Sequence, residues 1–224
     1  MTGPLTGLRP RRLVVVVGTG TDVGKTWVAA RLLSELRGAG ATVAARKPAQ
    51  SFDPGEDPSD LDAAVLGAAS GEAPEVVCPA HRWYEVPMAP PMAAEALGRP
   101  PFRSADLVGE LEWPTDPVDV GLVETAGGVR SPLAADGDCA SFCAALAPDL
   151  VVLVADAGLG TINAVRLTVD SLRGLGAPVA VVLNRFDAAV DVHIQNARWL
   201  RSRDGLTVVT LPGGENDLAG LASG

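Results

Sequence analysis

The sequence is poor in the side chains that build disulfide frameworks and metal centres. Its 224 residues include only three cysteines, Cys78, Cys139 and Cys143, and two histidines, His81 and His193. Three cysteines cannot form a complete set of disulfides, and a reducing compartment suits them best, so we expect a cytoplasmic protein. Cys139 and Cys143 lie four residues apart in an alanine-rich segment, which favours two small buried thiols over a pair of metal ligands.

Long apolar runs and basic clusters are also missing. No apolar stretch approaches the roughly 18 residues that span a bilayer, so we expect no membrane segment. The segment before Leu13 contains basic residues and an apolar run follows it, as in a secretory signal. That run is too short for a signal, however, and it continues into a glycine-rich loop. The formal net charge is −9, and the only basic cluster is residues 9–12, which argues against a nucleic-acid-binding surface.

Aromatic residues make up only 4% of a chain that is 47% hydrophobic, so Val, Leu and Ala must build most of the core. Such a composition is typical of buried parallel strands covered by helices. Strand-like and helix-like segments alternate without an internal repeat, which predicts one α/β domain over residues 1–224, a doubly wound, mainly parallel sheet with residues 1–11 as a flexible extension. The predicted strands are 13–17, 42–45, 118–123, 149–155, 178–183 and 206–211. The predicted helices are 27–37, about 59–69, 104 to about 113, one that opens at 160–163 and runs to about 173, and about 190–203.

The strongest motif is LVVVVGTGTDVGKT, residues 13–26. An apolar strand enters a glycine-rich turn that ends in Gly-Lys-Thr and opens a helix, and backbone N–H groups in such a turn bind phosphate oxygens. Lys25 would reach the outer phosphates, and the Thr26 hydroxyl would bind Mg²⁺. Thr19 stands where the pattern G-x-x-x-x-G-K-[ST] has its first glycine, so this phosphate loop (residues 18–26) is a variant.

Further charged residues follow the predicted strands and so reach the same edge of the sheet. Lys47 follows the second predicted strand, and Glu124 ends the third, where a carboxylate near a phosphate loop is suited to hold Mg²⁺. Asp60 and Asp62 begin the next predicted helix. One of them could equally cap that helix while the other favours its positive end.

Taken in order, these motifs resemble the dethiobiotin synthetases, ATP-dependent carboxylases of biotin synthesis. The similarity covers most of the chain, and the variant phosphate loop is itself a feature of that family. The resemblance implies that 7,8-diaminononanoate, CO2 and ATP give dethiobiotin, ADP and phosphate, with Mg²⁺, through a carbamate and a carbamic–phosphoric mixed anhydride. The residues that carry it are 18–26, Lys47-Pro48 with Ser51, Ser59-Asp60, 124–128, 160–163 and Asn184.

The resemblance also implies a role for each matching residue. Lys47 and Lys25 would be catalytic, flanking the γ-phosphate and the carbamate. The implied metal ligands are Thr26, Asp60 and Glu124. The implied nucleotide-binding residues are Thr21, Asp22, Val23, Gly24, Lys25 and Thr26, with Asn184, Pro212, Gly213, Gly214 and Glu215 around the base. The implied substrate-binding residues are Ser51, Thr125, Gly160, Thr161, Ile162 and Asn163.

In that family the helix that begins near residues 160–163 comes from the other subunit. The resemblance therefore implies a homodimer with sites at its interface, where free N–H groups of that helix bind the substrate carboxylate. The only other partners implied are small-molecule substrates. An ordinary glycine-rich turn at 160–163, and a solvated lysine at position 47, are the alternatives.

Other classes share some of these features. Partitioning and division-site switch ATPases have the same fold and a deviant loop, but they carry a signature lysine where Gly20 stands. They also often end in a basic amphipathic helix, unlike residues 215–224. The cobyrinic acid amide synthases have a glutaminase domain, for which 224 residues leave no room. The run Asn184-Arg185-Phe186-Asp187 imitates the guanine-reading pattern of GTPases, so the preferred base stays open.

Overall fold

The computed structural model describes residues 8–224, which form one α/β unit. The strands are β1 (Arg12–Gly18), β2 (Val43–Arg46), β3 (Gln50–Ser51), β4 (Trp83–Tyr84), β5 (Val120–Glu124), β6 (Pro132–Ala134), β7 (Gly137–Asp138), β8 (Leu150–Asp156), β9 (Val179–Asn184) and β10 (Thr207–Thr210). The α-helices are α1 (Lys25–Gly38), α2 (Asp62–Ser70), α3 (Pro74–Val77), α4 (Pro90–Ala96), α5 (Ser104–Gly109), α6 (Cys139–Leu146), α7 (Thr161–Leu172), α8 (Asp191–Ser202) and α9 (Glu215–Ser223).

Six strands form a parallel sheet in the order β10-β9-β8-β1-β5-β2. The predicted doubly wound parallel fold is confirmed. Because β1 lies between β5 and β8, the carboxyl ends of these three strands meet at the middle of one sheet edge. Ligands of open α/β sheets bind at this edge.

The valine run of β1 explains the central position of that strand. Successive side chains of a strand point to opposite faces. Val14 and Val16 pack in the same core cluster as Leu32 of α1. Val15 packs on the other face in a cluster with Phe142 of α6. A strand buried on both faces needs a continuous apolar run, and residues 13–17 of β1 supply it.

Two helices begin at other residues than the sequence predicted. Helix α1 begins at Lys25, directly after Gly24 in the left-handed conformation (φ 89°), so the Lys and Thr of the motif already belong to its first turn. Helix α2 begins at Asp62 because the Asp57 carboxylate accepts hydrogen bonds from both the backbone N–H and the hydroxyl of Ser59. This local turn occupies the segment that was predicted to be the first helical turn.

The predicted extension, residues 1–11, is only partly within the described chain, and residues 1–7 lie outside it. Pro10 is buried, and the Arg9 guanidinium donates to the Ala147 carbonyl at 2.7 Å and to Asp149 at 3.1 Å. These residues therefore pack against the domain. Within residues 8–224, no helix combines the length and the apolar character that crossing a membrane requires.

Candidate active site

The phosphate loop leaves β1 at Gly18 and enters α1 at Lys25. Gly18 has no room for a side chain, since a Cβ there would lie 3.0 Å from the Gly20 carbonyl oxygen and from the Lys25 side chain. Thr19 has no positive φ, so a side chain is compatible with its backbone conformation, and its backbone N–H donates to the Val154 carbonyl of β8 at 3.0 Å. The loop thus keeps a compact turn even though its glycine is displaced from the usual position.

The Lys25 side chain folds back over this loop. Its ammonium donates to the Gly20 carbonyl at 2.9 Å, and the residue is 7% exposed. Burial lowers the pKa of Lys25, and the nearby Lys47 ammonium lowers it further. The chain contains only two lysines, and both are in this site. A phosphate oxygen bound in the loop would be a stronger acceptor for Lys25 than the neutral Gly20 carbonyl.

Four side chains from four elements meet beside the loop. The Lys47 ammonium lies 2.6 Å from Asp62 Oδ2 and 2.6 Å from Glu124 Oε1. The Thr26 hydroxyl lies 2.6 Å from Asp62 Oδ1 and 2.9 Å from Glu124 Oε1. Helix α1, the segment after β2, helix α2 and the end of β5 each supply one of these groups.

The two carboxylates are in different environments. Glu124 is completely buried, and burial raises its pKa despite the Lys47 charge. The Asp62 side chain is 37% exposed. Burial raises the Asp62 pKa, but Lys47 and Thr26 outweigh that effect and keep it below its ordinary value. Burial also opposes the charge on Lys47, yet both carboxylates together hold the Lys47 pKa above its ordinary value.

The oxygen atoms of this cluster fit Mg²⁺. Glu124 Oε2 is buried and has no hydrogen-bond partner in residues 8–224, although a buried carboxylate oxygen normally has one. The same residues contain no group of three His, Cys, Asp or Glu side chains that could hold a metal alone. Mg²⁺ is commonly held by one or two carboxylates plus substrate phosphates, which matches Thr26, Asp62 and Glu124.

The sequence analysis expected Asp60 to be the metal-binding aspartate, but the aspartate that the structure places in this cluster is Asp62. Asp60 is exposed and lies in the turn before α2, whereas Asp62 begins α2 and contacts Thr26 and Lys47. Gln50, a residue that the sequence did not indicate, accepts a hydrogen bond from the Ala63 N–H at 2.9 Å. This contact fixes the start of α2 against β3 and so positions Asp62.

The cluster lies in a cleft of about 840 Å³. Its lining includes charged side chains and also apolar residues, among them Phe52 and the segment 87–90. Ser51 lines the cleft, and its hydroxyl is buried without a hydrogen-bond partner in the described chain. The predicted residues that line the cleft are Thr21, Asp22, Gly24, Lys25, Thr26, Lys47, Ser51 and Glu124.

Several other predicted residues do not line this cleft. Thr125 is buried, and its hydroxyl donates to the Val16 carbonyl of β1 at 3.3 Å, so in this structure its side chain contacts the neighbouring strand. The residues from Gly160 to Asn163 form the cap and first turn of α7, outside the cleft of the same chain. They follow Leu159, which is 94% exposed.

The residues predicted around the base lie behind the phosphate loop. Asn184 is buried and donates its side-chain amide to the Val23 carbonyl at 3.0 Å. Residues 212–215 connect β10 to α9, where Glu215 accepts the Gly213 N–H at 2.8 Å and lies 3.6 Å from Arg31 of α1. Neither Val23, Asn184 nor residues 212–215 line the cleft.

Asp187, the last residue of the guanine-reading pattern, is engaged elsewhere. Its carboxylate accepts the Ala189 N–H at 2.8 Å in a local turn. Arg185, in the middle of that pattern, does line the cleft and contacts the phosphate loop. The sequence analysis noted Arg185 only within the guanine-reading pattern. Its contact with the phosphate loop could not be predicted, because the acceptor is the Asp22 backbone carbonyl, 163 residues away.

Comparisons with known proteins show the family of the chain. A family model described as an AAA domain matches residues 12–211. The ATP-dependent dethiobiotin synthetase of Anaeromyxobacter dehalogenans is 39% identical over 203 residues, covering 88% of this chain and 89% of that protein. The enzyme of the same name from Rhodococcus jostii is 40% identical over 168 residues, 75% of this chain and 71% of that protein.

Solved structures show the fold alone. A plasmid partition protein from Borrelia burgdorferi superposes with a TM-score of 0.57 at 12% identity, covering 96% of this chain and 97% of that one. The cell division protein FtsY of Thermotoga maritima gives 0.53 at 14% identity, covering 100% of this chain and 72% of that one. At such identities the likeness extends to the nucleotide-binding fold and not to the site.

Proposed function

The chain belongs to the ATP-dependent dethiobiotin synthetases, and we propose that it converts 7,8-diaminononanoate, CO2 and ATP to dethiobiotin with Mg²⁺ as its metal, as a cytoplasmic homodimer. The observation that carries the proposal is the meeting of Lys25, Lys47 and the Thr26–Asp62–Glu124 oxygen cluster in one cleft. Two ammonium groups and a set of hard oxygen ligands are what the transfer of a γ-phosphoryl group to a carboxylate-like acceptor needs.

The reaction has three steps. One substrate amine attacks CO2 and loses a proton, which gives a carbamate. A carbamate oxygen then attacks the γ-phosphorus and the bond to ADP breaks, which gives the mixed anhydride. The second amine attacks the carbamate carbon, the carbon–oxygen bond to phosphate breaks, and the amine releases its proton as the ring closes. Most of the protein's contribution is to hold the reactants together and neutralise their charge.

Lys47 supplies a fixed positive charge. Because Asp62 and Glu124 hold the Lys47 pKa above its ordinary value, this side chain stays protonated throughout the neutral range and does not act as a base. Its charge suits the carbamate and the transferring phosphoryl group, both of which are anionic. Lys25, whose ammonium has only the Gly20 carbonyl as a hydrogen-bond acceptor in the described chain, is available for the outer phosphates.

Thr26, Asp62 and Glu124 would hold Mg²⁺. The ion would neutralise charge on the phosphate oxygens as a Lewis acid. Lys47 keeps the two carboxylates close together, and the unpaired Glu124 Oε2 would be available as a ligand oxygen.

The cleft also suits the rest of the substrate. Its apolar wall, Phe52 with residues 87–90, fits an aliphatic chain, and the unpaired Ser51 hydroxyl fits an amine or the carbamate. The α7 start, Gly160 to Asn163, presents helix N–H groups suited to a carboxylate but lies outside its own chain's cleft. A partner subunit that contributes this helix start would complete the site, which supports the homodimer.

Product analysis tests this function. The protein is incubated with diaminononanoate, ¹³C-bicarbonate, ATP and Mg²⁺, and the products are identified by mass spectrometry, with each component omitted in turn. We expect dethiobiotin carrying one ¹³C and an equal amount of ADP, and none from the matched Lys47→Gln variant. ATP hydrolysis without dethiobiotin would overturn the proposal and favour a switch ATPase.

A further inference from the structure

Asn184 and Arg185, two consecutive residues at the carboxyl end of β9, donate hydrogen bonds to the backbone of the phosphate loop. The Asn184 side-chain amide donates to the Val23 carbonyl at 3.0 Å. The Arg185 guanidinium donates through Nη2 to the Asp22 carbonyl at 2.6 Å. Two neighbouring carbonyls of the loop are therefore pinned by two neighbouring side chains.

This contact fixes the direction of the loop's N–H groups. In a trans peptide the C=O and N–H of one group point in opposite directions. Because the carbonyls of Asp22 and Val23 are held toward β9, the N–H groups of Val23 and Gly24 point the other way. Neither N–H donates to any acceptor in residues 8–224, so both are free for phosphate oxygens.

The backbone here needs such support. Asp22 and Arg185 have positive φ values, 58° and 55°, which side-chain-bearing residues seldom adopt. Gly24 has φ 89°, and a Cβ at Gly24 would lie 2.1 Å from the Asn184 amide nitrogen. The loop and the end of β9 therefore fit together closely in an unfavourable backbone conformation that contacts must maintain.

A third group orients the Arg185 side chain. Its Nη1 lies 3.1 Å from Asp156 Oδ2, and the other oxygen of Asp156 accepts the Gly158 N–H at 2.8 Å. Both terminal nitrogens of Arg185 thus have protein acceptors. We propose that Arg185 is a positioning residue, which with Asn184 turns the Val23 and Gly24 N–H groups toward the phosphates instead of contacting the nucleotide itself.

The test uses inorganic tripolyphosphate with Mg²⁺, a probe that has phosphates but no base. Arg185→Asn removes the guanidinium while keeping a residue that tolerates positive φ. We expect its Kd for tripolyphosphate and for MgATP to rise about tenfold by calorimetry, the scale of one lost hydrogen bond to a charged donor. Asp156→Asn should weaken both by about threefold. Arg173→Asn, which breaks an exposed pair with Asp170 on the outer face, is the matched control and should change neither.

Two further readouts separate positioning from direct contact. In the ligand-free Arg185→Asn protein we expect the amide NMR signals of Val23 and Gly24 to shift and broaden, while the melting temperature stays close to that of the wild type. Arg185→Lys keeps the charge but cannot bridge two acceptors, so it should recover less than half of the lost binding energy.

Three results would overturn the proposal. Unchanged tripolyphosphate binding with weaker ATP binding would assign Arg185 to the base or ribose. Full affinity in Arg185→Lys with unchanged ligand-free signals would assign it to direct phosphate contact. Unchanged binding in both Arg185→Asn and Asp156→Asn would leave it no role. The test requires only that the loop binds phosphates, so its failure is distinct from a failure to make dethiobiotin.

Discussion

Replacing Lys47 by Met tests the charge balance of the site. The substitution keeps a long side chain but removes the ammonium that lies 2.6 Å from both Asp62 and Glu124. Removing one partner of a buried ion pair typically costs about 3–5 kcal/mol, since the remaining charge stays desolvated. Asp62 is partly exposed and can recover water, whereas Glu124 cannot. We therefore expect a loss of about 3 kcal/mol in unfolding free energy at pH 7 without metal.

The pH dependence of that loss has a definite sign. Burial already raises the Glu124 pKa, and losing Lys47 must raise it further. A group whose pKa is higher in the folded than in the unfolded state adds to the free energy of unfolding at pH values below its unfolded-state pKa. That contribution is lost as the pH rises through the folded-state pKa. The deficit of Lys47→Met should therefore shrink as pH falls from 8 toward 5.

Urea unfolding of Lys47→Met and wild type, followed by circular dichroism at pH 5.5, 7 and 8 without metal, measures both effects. The matched control is Lys47→Met combined with Glu124→Gln, which removes the uncompensated charge and should recover more than half of the loss at pH 7. Wild-type stability in Lys47→Met at pH 8, or a deficit that grows toward pH 5, would refute the account of this cluster.

Three further predictions concern the ligands. Lys25→Ala should weaken binding of a non-hydrolysable ATP analogue at least about tenfold in calorimetry, the scale of one charged hydrogen bond; unchanged affinity would remove Lys25 from the site. Asp62→Asn should raise the Mg²⁺ concentration needed for half-maximal rate, since an amide is a poorer ligand than a carboxylate, and Asp60→Asn should leave it unchanged. The reverse result would show that Asp60, and not Asp62, is the metal ligand. The Lys25→Ala and Thr161→Glu variants, unfolded and refolded together in equal amounts, should recover roughly a quarter of wild-type activity if each active site uses residues of both subunits across a two-fold interface. Mixed dimers without activity would exclude such shared sites.

Much of this structure follows from local sequence signals. The short, continuous, valine-rich apolar runs of β1, β8 and β9 are typical of strands buried on both faces, and this predicted a parallel sheet. Residues directly after such strands, such as Lys47 and Glu124, could be placed at one edge without knowing any contact. The phosphate loop was predicted from its own motif, the glycine-rich turn that ends in Gly-Lys-Thr.

The sequence could not predict contacts that depend on the exact residue at which a helix begins, or on backbone atoms far away along the chain. Asp60 and Asp62 carry the same side chain two residues apart, and only the Asp57–Ser59 turn, which delays the start of α2, decides which of them enters the cluster. Thr125 directly follows β5, but its hydroxyl donates to the Val16 carbonyl of the neighbouring strand β1. Arg185 contacts a loop 163 residues away, which no local pattern indicates.

The fate of the bicarbonate oxygen tests the central claim most directly. If ATP activates a carbamate, the oxygen that attacks the γ-phosphorus comes from CO2 and leaves with phosphate when the ring closes. Short incubations with ¹⁸O-bicarbonate, diaminononanoate and MgATP in unlabelled water should therefore give phosphate with one ¹⁸O for each dethiobiotin formed, as measured by mass spectrometry. Phosphate that takes its new oxygen only from water would show that the site hydrolyses ATP, and would contradict the account.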